Sequence, residues 1–322
     1  MRSAPHSTAV KFATAGRRER QGDRLAAAVT VVLLGLWTCH VMLADNATSE
    51  REKVAQTQGE DALERATVSP QGEYVVAGYG GAPYTHPSDV KFANPGKTDL
   101  TAHGIRWEGR PFKSPVYYGI RTLQWSGGGT FGGMLDFTHS KAISQREQDI
   151  RLTGTRDSQN VTGKVRLGDV FRHFEFSHGH NTLTVNGLVR LASLLPGLAP
   201  YVGAGVGVAL PHTEVHLHGD ARTYEYQYVG PAAQAVLGLE FRLPHASLFL
   251  EYKFTIARYR APLTGRDGDW FPDDFWRQAV DFWRRVAPAG GYLSTTLASH
   301  QVAAGLGLRI VRNARAAGAL IR

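Results

Sequence analysis

Residues 246–259, ASLFLEYKFTIARY, alternate apolar and polar side chains with a period of two. Leu248 and Leu250 share one side of an extended chain, while Glu251 and Lys253 share the other. A strand that separates lipid from a polar interior needs one apolar face and one charged face of this kind. The segment therefore predicts a membrane-spanning β-strand.

Further segments show the same alternation, and the connections between them sort by length. The eight predicted strands are residues 73–80, 115–125, 131–141, 174–190, 200–212, 223–243, 246–259 and 293–311. The short connections are 126–130, 191–199 and 243–245, and the long ones are 81–114, 142–173, 213–222 and 260–292. Outer-membrane barrels combine an even strand number with short periplasmic turns and long external loops. The sequence thus predicts an all-β fold, an eight-stranded antiparallel outer-membrane β-barrel with long external loops.

One predicted strand, 174–190, does not keep a single alternation along its length. In a regular strand Phe174 and Phe176 would lie on the same face as Thr182 and Thr184, although aromatic and polar residues are expected on opposite faces. An extra residue would reverse the parity, and such irregularities are common at barrel rims. The sequence therefore predicts a β-bulge near residues 177–179.

The first 44 residues resemble an export signal. Residues 25–44 form an apolar run that follows four arginines, which predicts a signal peptide over 1–44, with an uncleaved anchor helix as the alternative. Residues 45–72 are polar and mixed in charge and are predicted to be a flexible periplasmic lead-in. The barrel is expected to span 73–311, followed by a basic tail at 312–322.

Composition excludes several functional classes. Cys39 is the single cysteine, so a disulfide framework and a cysteine-rich metal site are both excluded. The net charge of +8 arises in part from the basic residues of the export segment. No nucleic-acid-binding motif accompanies that charge, so no nucleic-acid partner is expected.

The last long connection contains WFPDDFWRQAVDFWRR at residues 270–285. Pro272 and the two aspartates after it are typical of a helix start. Apolar residues then recur at helical spacing and predict one stripe: Phe275, Ala279, Phe282, Trp283 and Val286. We expect a short amphipathic helix that either lies at the membrane surface, with its arginines near lipid phosphates, or packs on the barrel as a lid.

Histidines gather at the predicted external rim: His86, His139, His173, His178, His180 and His212. In SHGHN, His178 and His180 are two residues apart and are expected to share one face of a strand. Two imidazoles with a nearby carboxylate can bind a divalent transition metal and leave an open position. We predict a metal site at His178, His180 and His173, which Glu175 or Asp136 would complete. The alternative is that these histidines are interfacial hydrogen-bond donors.

Charged residues with inward parity lie on several predicted strands: Arg121, Asp136, Glu240, Arg242, Glu251 and Lys253. We interpret them as an ion-pair network in the lumen, since buried charges are usually paired. Asp136 is the member expected nearest the rim. Catalytic candidates are Asp136, His139 and Glu175.

A serine hydrolase is a second chemical possibility. His139 precedes Ser140 and Ser177 precedes His178, but adjacent residues in a regular strand point to opposite faces. Neither adjacent pair is therefore expected to form a nucleophile–base hydrogen bond. A cross-strand pair, Ser140 with His178 or His180, remains open.

Long strings of the chain resemble the lipid A oxidase family of rhizobial and related outer membranes. They are EYVVAGYGGAPYTHPSDVKF, GRPFKSPVYYGIR, MLDFTHSKAI, GDVFRHFEFSHGHN, PYVGAGVGVALPHTEV, TYEYQYVGPAAQ and SLFLEYKF, within residues 73–309. The resemblance implies an outer-membrane oxidoreductase that converts the proximal glucosamine of lipid A to 2-aminogluconate, with O2 as co-substrate and H2O2 as product. It also implies a divalent transition metal ion as cofactor.

These expectations describe a monomer in the bacterial outer membrane that binds lipid A or lipopolysaccharide. A histidine or aspartate at the metal would act as the base for the hydroxyl proton. Two alternatives remain open. One is a lipid A deacylase or other hydrolase of barrel form that uses Ser140 or Ser177, and the other is a non-enzymatic structural barrel.

Overall fold

The computed structural model describes residues 70–313. The predicted export segment 1–44, nearly all of the lead-in 45–72 and nearly all of the tail 312–322 lie outside these residues. The ring strands are β1 (Pro70–Thr85), β5 (Tyr118–Ser126), β6 (Phe131–Ser144), β10 (Phe171–Arg190), β11 (Leu198–Ala209), β14 (Gly230–Arg242), β15 (Ala246–Pro262) and β16 (Tyr292–Asn313). No helix within the described range is long and apolar enough to cross a membrane.

These eight strands close on themselves. Each pairs antiparallel with the next in the order β1, β5, β6, β10, β11, β14, β15 and β16. The register of β1 with β16, from Glu73 opposite Val311 to Thr85 opposite Ser299, completes the ring. Closure pairs the edge strands, so the backbone hydrogen bonds of the wall are satisfied internally. The predicted eight-stranded antiparallel barrel is confirmed.

The faces of the strands follow the predicted alternation. Along β15, Leu250 is 56% exposed, whereas its neighbours Glu251 and Lys253 are at most 1% exposed. The same holds on β11, where Val206 faces outward at 71% exposure. An exposed apolar wall around a buried polar interior is what a lipid environment demands of a barrel.

The long external connections are not irregular, which the sequence analysis did not anticipate. They form β2 (Ser88–Asn94), β3 (Thr98–Ile105), β4 (Trp107–Glu108), β7 (Asp149–Arg156), β8 (Gln159–Asn160), β9 (Gly163–Arg166), β12 (His212–Leu217) and β13 (Thr223–Tyr226). The short helix α1 (Leu167–Val170) leads into β10. Most of the added strands extend the wall, because β2 pairs with the first residues of β16 and β12 pairs with the first residues of β10.

An apolar core fills this external extension. Phe92, Phe171 and Phe174 lie in it with ring centroids 5.0 to 5.8 Å apart. The predicted irregularity in β10 is present between Phe176 and His180, but it inserts two residues, since Phe176 opposes Ala142 and His180 opposes Ser140. An insertion of two residues leaves the inward and outward alternation of the side chains unchanged. The expectation that the phenylalanines and threonines face opposite sides was therefore wrong, because the interior changes from polar to apolar along the strand.

The helix α2 (Phe271–Arg284) lies against the barrel by its polar side. Asp274 accepts a hydrogen bond from the Tyr226 amide (3.0 Å), and Gln278 pairs with both backbone groups of Tyr228 (2.8 Å each). On the predicted apolar stripe, Phe282 and Trp283 are each 86% exposed. The helix thus packs on the barrel, one of the two expected placements, and it does so through hydrogen-bonding side chains rather than through its apolar stripe.

Candidate functional site

The centre of the lumen contains a closed network of charges. Arg121 donates two hydrogen bonds to Glu251 (2.8 and 2.9 Å) and one to Asp136 (3.1 Å). Lys253 lies 2.7 Å from Asp136. The four side chains come from β5, β6 and β15, and none is exposed. The predicted ion-pair network is confirmed for these residues, and its pairing compensates for their removal from water.

Asp136 lies inside this network rather than near the rim, where its position in the sequence predicts it. Its oxygens also accept hydrogen bonds from Tyr79 (2.9 Å) and Gln234 (3.0 Å). With Thr138 (3.5 Å), five side chains donate to this carboxylate, and these donors and its full burial leave the catalytic candidate no open side toward a substrate.

The other two residues assigned to the network lie elsewhere. Glu240 is paired with Arg190 (2.7 Å), which also binds Glu73 (3.1 Å) in a second network toward the short-turn end. Arg242 instead donates to the Ser193 hydroxyl (3.2 Å) and is solvent-accessible. Arg242 keeps the inward parity of Glu240, but β14 ends at this residue and its side chain reaches the neighbouring turn instead of the central network.

His180 and His178 do not share a face. His180 is 2% exposed and hydrogen-bonded through Nδ1 to the Tyr259 hydroxyl inside the barrel. His178 is exposed, and its ring lies 5.1 Å from that of His212. The backbone between the two histidines passes through Gly179 at φ +138°, so their spacing of two residues does not correspond to regular strand geometry.

His139 belongs to the outer wall. Its ring stacks on that of Tyr118 with centroids 4.8 Å apart, and Nδ1 is 2.8 Å from the Asn181 side-chain oxygen. Although its parity points outward, the residue is only 4% exposed. These contacts are those of an interfacial hydrogen-bonding histidine, the alternative considered for the rim histidines.

Three side chains converge on the outer face of the extension. His173 and Glu175 of β10 and Glu214 of β12 each offer a ligand atom, and these atoms all lie within 4.8 Å of one another. The register explains the convergence, since Glu175 is directly opposite Glu214. Among residues 70–313 this is the one such group of histidine, cysteine or acidic side chains. We call these three residues the rim triad; His173 and Glu175 were predicted as site residues, and Glu214 was not.

The rim triad places two carboxylates in contact beside an imidazole. Burial, followed by the adjacent Glu214 carboxylate, raises the pKa of Glu175. Arg222 donates to Glu214 (2.8 Å), and the His173 Nδ1 atom is 3.6 Å from the same oxygen. Two carboxylates and one imidazole form a donor set that divalent transition metals accept, and two like charges in contact are stabilised by a positive ion. The residues present therefore fit the metal that the resemblance implies.

A serine contact adjoins the rim triad. The Ser177 hydroxyl lies 3.4 Å from Nδ1 of His178 and also hydrogen-bonds to Glu175. The expectation that these neighbours cannot interact was wrong, because residues 177–179 depart from regular strand geometry. Ser140 instead donates to the backbone carbonyl of His180 (3.1 Å), so its predicted cross-strand pairing with an imidazole is not formed.

The wall, the interior and the connections together define a class. A closed ring of antiparallel strands, an exposed apolar outer surface, an ion-paired lumen, and short turns opposite long loops are the properties of a bacterial outer-membrane β-barrel. The chain is an eight-stranded member of that class.

Comparison with solved structures returns barrels at low similarity. Neisserial surface protein A (NspA) is 10% identical, with a TM-score of 0.32, over 73% of this chain and 96% of that one. Ail, the attachment invasion locus protein of Yersinia pestis, solved in complex with the heparin analogue sucrose octasulfate, is 10% identical, with a TM-score of 0.31, over 74% and 99%. No family model matches the chain, and no curated protein matches it. The fold assignment thus depends on the chain's own strand register.

Proposed function

We propose that this barrel is an outer-membrane oxidoreductase that oxidises the proximal glucosamine of lipid A to 2-aminogluconate. The observation that carries the proposal is the rim triad, a metal-ligand set on the outer face of the barrel beyond the apolar wall. The strings quoted above, which resemble lipid A oxidases, supply the substrate and the reaction class.

The reaction removes two electrons and two protons from the sugar. The anomeric C1–H and the C1 hydroxyl proton are lost, a lactone forms, and O2 is reduced to H2O2. Water then opens the lactone, so the product gains one oxygen atom. A divalent metal at the rim triad would supply the route for electrons to O2.

The side chains of the chain itself would position the metal and move the proton. His173, Glu175 and Glu214 would hold the metal, and Arg222 would orient Glu214 through their hydrogen bond. Exposed His178 would accept the hydroxyl proton. It is close to the metal ligands, because it contacts Ser177, which in turn contacts Glu175. His139, the catalytic histidine expected from the sequence, is instead hydrogen-bonded to Asn181 in the wall.

The rim triad is tested by mass spectrometry of lipid A from cells that express each variant. We expect the wild-type chain to add one oxygen to lipid A, and Glu214→Ala or His173→Ala to lower that conversion by at least about a hundredfold through loss of metal affinity. His245→Ala, which removes an exposed imidazole at the β14–β15 turn, is the matched control and should keep full activity. Full conversion by Glu214→Ala would exclude this metal site.

A hydrolase is the second candidate, favoured by the contact between Ser177 and His178. In that case lipid A would lose an acyl chain, the loss would survive chelation, and Ser177→Ala would abolish it. Unchanged lipid A in every strain would identify a structural barrel. The three outcomes differ in the mass of one product and are therefore separable in the same experiment.

A further inference from the structure

A cleft of about 550 Å³ lies between helix α2 and the outer wall of the barrel. The wall side is formed by β14 and β15, with Pro231, Arg258 and Arg260, and the helix side by Gln278 and Phe282. The rim triad contributes no residue to its lining. The cleft is therefore a second concave site.

Three arginines line this cleft, and they differ in their partners. Arg266 forms salt bridges with Glu225 (3.1 Å) and Asp281 (2.6 Å). Arg258 and Arg260 are exposed, and no carboxylate among residues 70–313 lies within 4.0 Å of either guanidinium. Two cations on one wall of a cleft without an acidic partner leave their charge available to an anionic ligand.

The orientation of one of these cations is already fixed. The Arg260 guanidinium carbon lies 4.0 Å above the centre of the Tyr292 ring. Stacking on an aromatic face leaves the N–H groups at the edge of the guanidinium free to donate in its plane. That geometry suits two oxygens of one phosphate.

The position of the arginines relative to lipid follows from the alternation along β15. Leu250, Tyr252 and Ile256 are exposed on the outer wall, and Arg258 and Arg260 continue that face. The wall thus changes from apolar to cationic within two residues, about 7 Å along a strand. A change of this kind marks the level at which acyl chains end and phosphates begin.

Helix α2 closes the outer side of the cleft and leaves large aromatic side chains exposed. Phe282 lines the cleft yet is 86% exposed, and Trp283 beside it is equally exposed. Aromatic side chains in this position are stable where acyl chains meet headgroups. The exposed face would therefore contact the same lipids whose headgroups reach the arginines.

We infer that the cleft binds the phosphorylated headgroup of a glycolipid of the outer leaflet, with Arg258 and Arg260 as the phosphate donors and α2 beside the acyl chains. The occupant is a membrane lipid because the cleft adjoins the apolar wall and the exposed aromatic helix. The inference depends on the barrel class alone, so it holds whether or not the chain oxidises its lipid.

The test uses the full barrel in phosphatidylcholine nanodiscs, with bound glycolipid counted by native mass spectrometry. A bis-phosphorylated lipid A should bind, and Arg258→Gln with Arg260→Gln should weaken binding by on the order of tenfold or more, as expected for the loss of charge-assisted hydrogen bonds. Arg258→Lys with Arg260→Lys should recover only part of the affinity, because lysine lacks the planar fork. The control is Arg151→Gln with Arg166→Gln, two exposed arginines on β7 and β9 outside the cleft, which should bind like wild type.

Three results would overturn the inference. They are wild-type binding by the double glutamine variant, equal binding of a lipid A analogue without phosphates, and full competition by inorganic phosphate at the concentration of the lipid. Folding of each variant is checked by its mobility in an unheated detergent gel. If the cleft variant loses lipid binding while the Glu214→Ala variant retains it, cleft and rim triad are separate sites.

Discussion

Lys253 shows why the lumen resists substitution. Its ammonium group contacts Asp136 (2.7 Å), Tyr79 (2.7 Å) and Thr138 (3.0 Å) with no exposure to water. Removing one member of a buried ion pair leaves an uncompensated charge, which costs more than the intact pair contributes.

We predict that Lys253→Met lowers the free energy of unfolding by about 3–5 kcal/mol. Urea titration of the refolded barrel in detergent micelles measures the change. Lys164→Met, on exposed β9, is the control and should unfold like wild type. Adding Asp136→Leu to Lys253→Met should restore much of the loss, since the remaining partner is then also apolar. An unchanged midpoint in the single variant would contradict the stabilising role of the network.

The sequence predicted which residues face inward, because a period of two is local information. It could not predict that Asp136 lies at the centre of the network, since this depends on the stagger of β6 against β5 and β15. Glu214 was missed as a ligand for the same reason. It follows a long connection, and only the pairing of β12 with β10 brings it opposite Glu175.

Helix α2 occurs where the sequence predicts a helix, but it is held by its polar side chains. Asp274 is 1% exposed at its first turn, and one carboxylate oxygen accepts the Tyr226 amide while the other has no hydrogen-bond partner. Burial raises the pKa of Asp274 above its ordinary value of 3.8. Because docking of the helix raises the pKa of this carboxyl group, the protonated form favours the docked helix. Docking therefore weakens as the pH rises from 3.8 through the pKa of the docked state.

We predict that helix α2 is protected more strongly near pH 4 than near pH 7. Hydrogen exchange at the Tyr226 amide, corrected for the intrinsic pH dependence of exchange, reports docking. Asp274→Asn, which keeps the accepting oxygen without a charge, should abolish the difference. Equal pH dependence in both proteins would contradict the assignment to Asp274. Protection at Gly207 in the barrel wall serves as the internal reference.

The cleft arginines follow from the alternation of the sequence. Every second residue from Leu248 through Ile256 to Arg258 and Arg260 is expected on the same outward face of the strand. The extra strands in the external connections are harder to predict from the sequence. They are mostly four to eight residues long, and their hydrogen-bonding partners lie far away in the chain. Short alternation cannot distinguish such strands from loops.

Closure of the ring between β1 and β16 joins the two ends of the described chain. Gly80 is opposite Ala304, and both face outward. We predict that Gly80→Cys with Ala304→Cys, in a Cys39→Ser background, forms a disulfide under mild oxidation and migrates as a crosslinked species. Gly80→Cys with Leu237→Cys, on a strand outside this pairing, should not crosslink. Absence of the first crosslink in folded protein would contradict the register.

The rim triad and the arginine cleft both lie on the convex exterior of a barrel whose bore is filled with side chains. A glycolipid would then reach these sites by lateral diffusion within its own leaflet. Encounter rates would scale with the mole fraction of that lipid in the bilayer rather than with its concentration in the aqueous volume. Dilution of the target lipid with inert phospholipid at constant total amount would therefore slow capture in proportion.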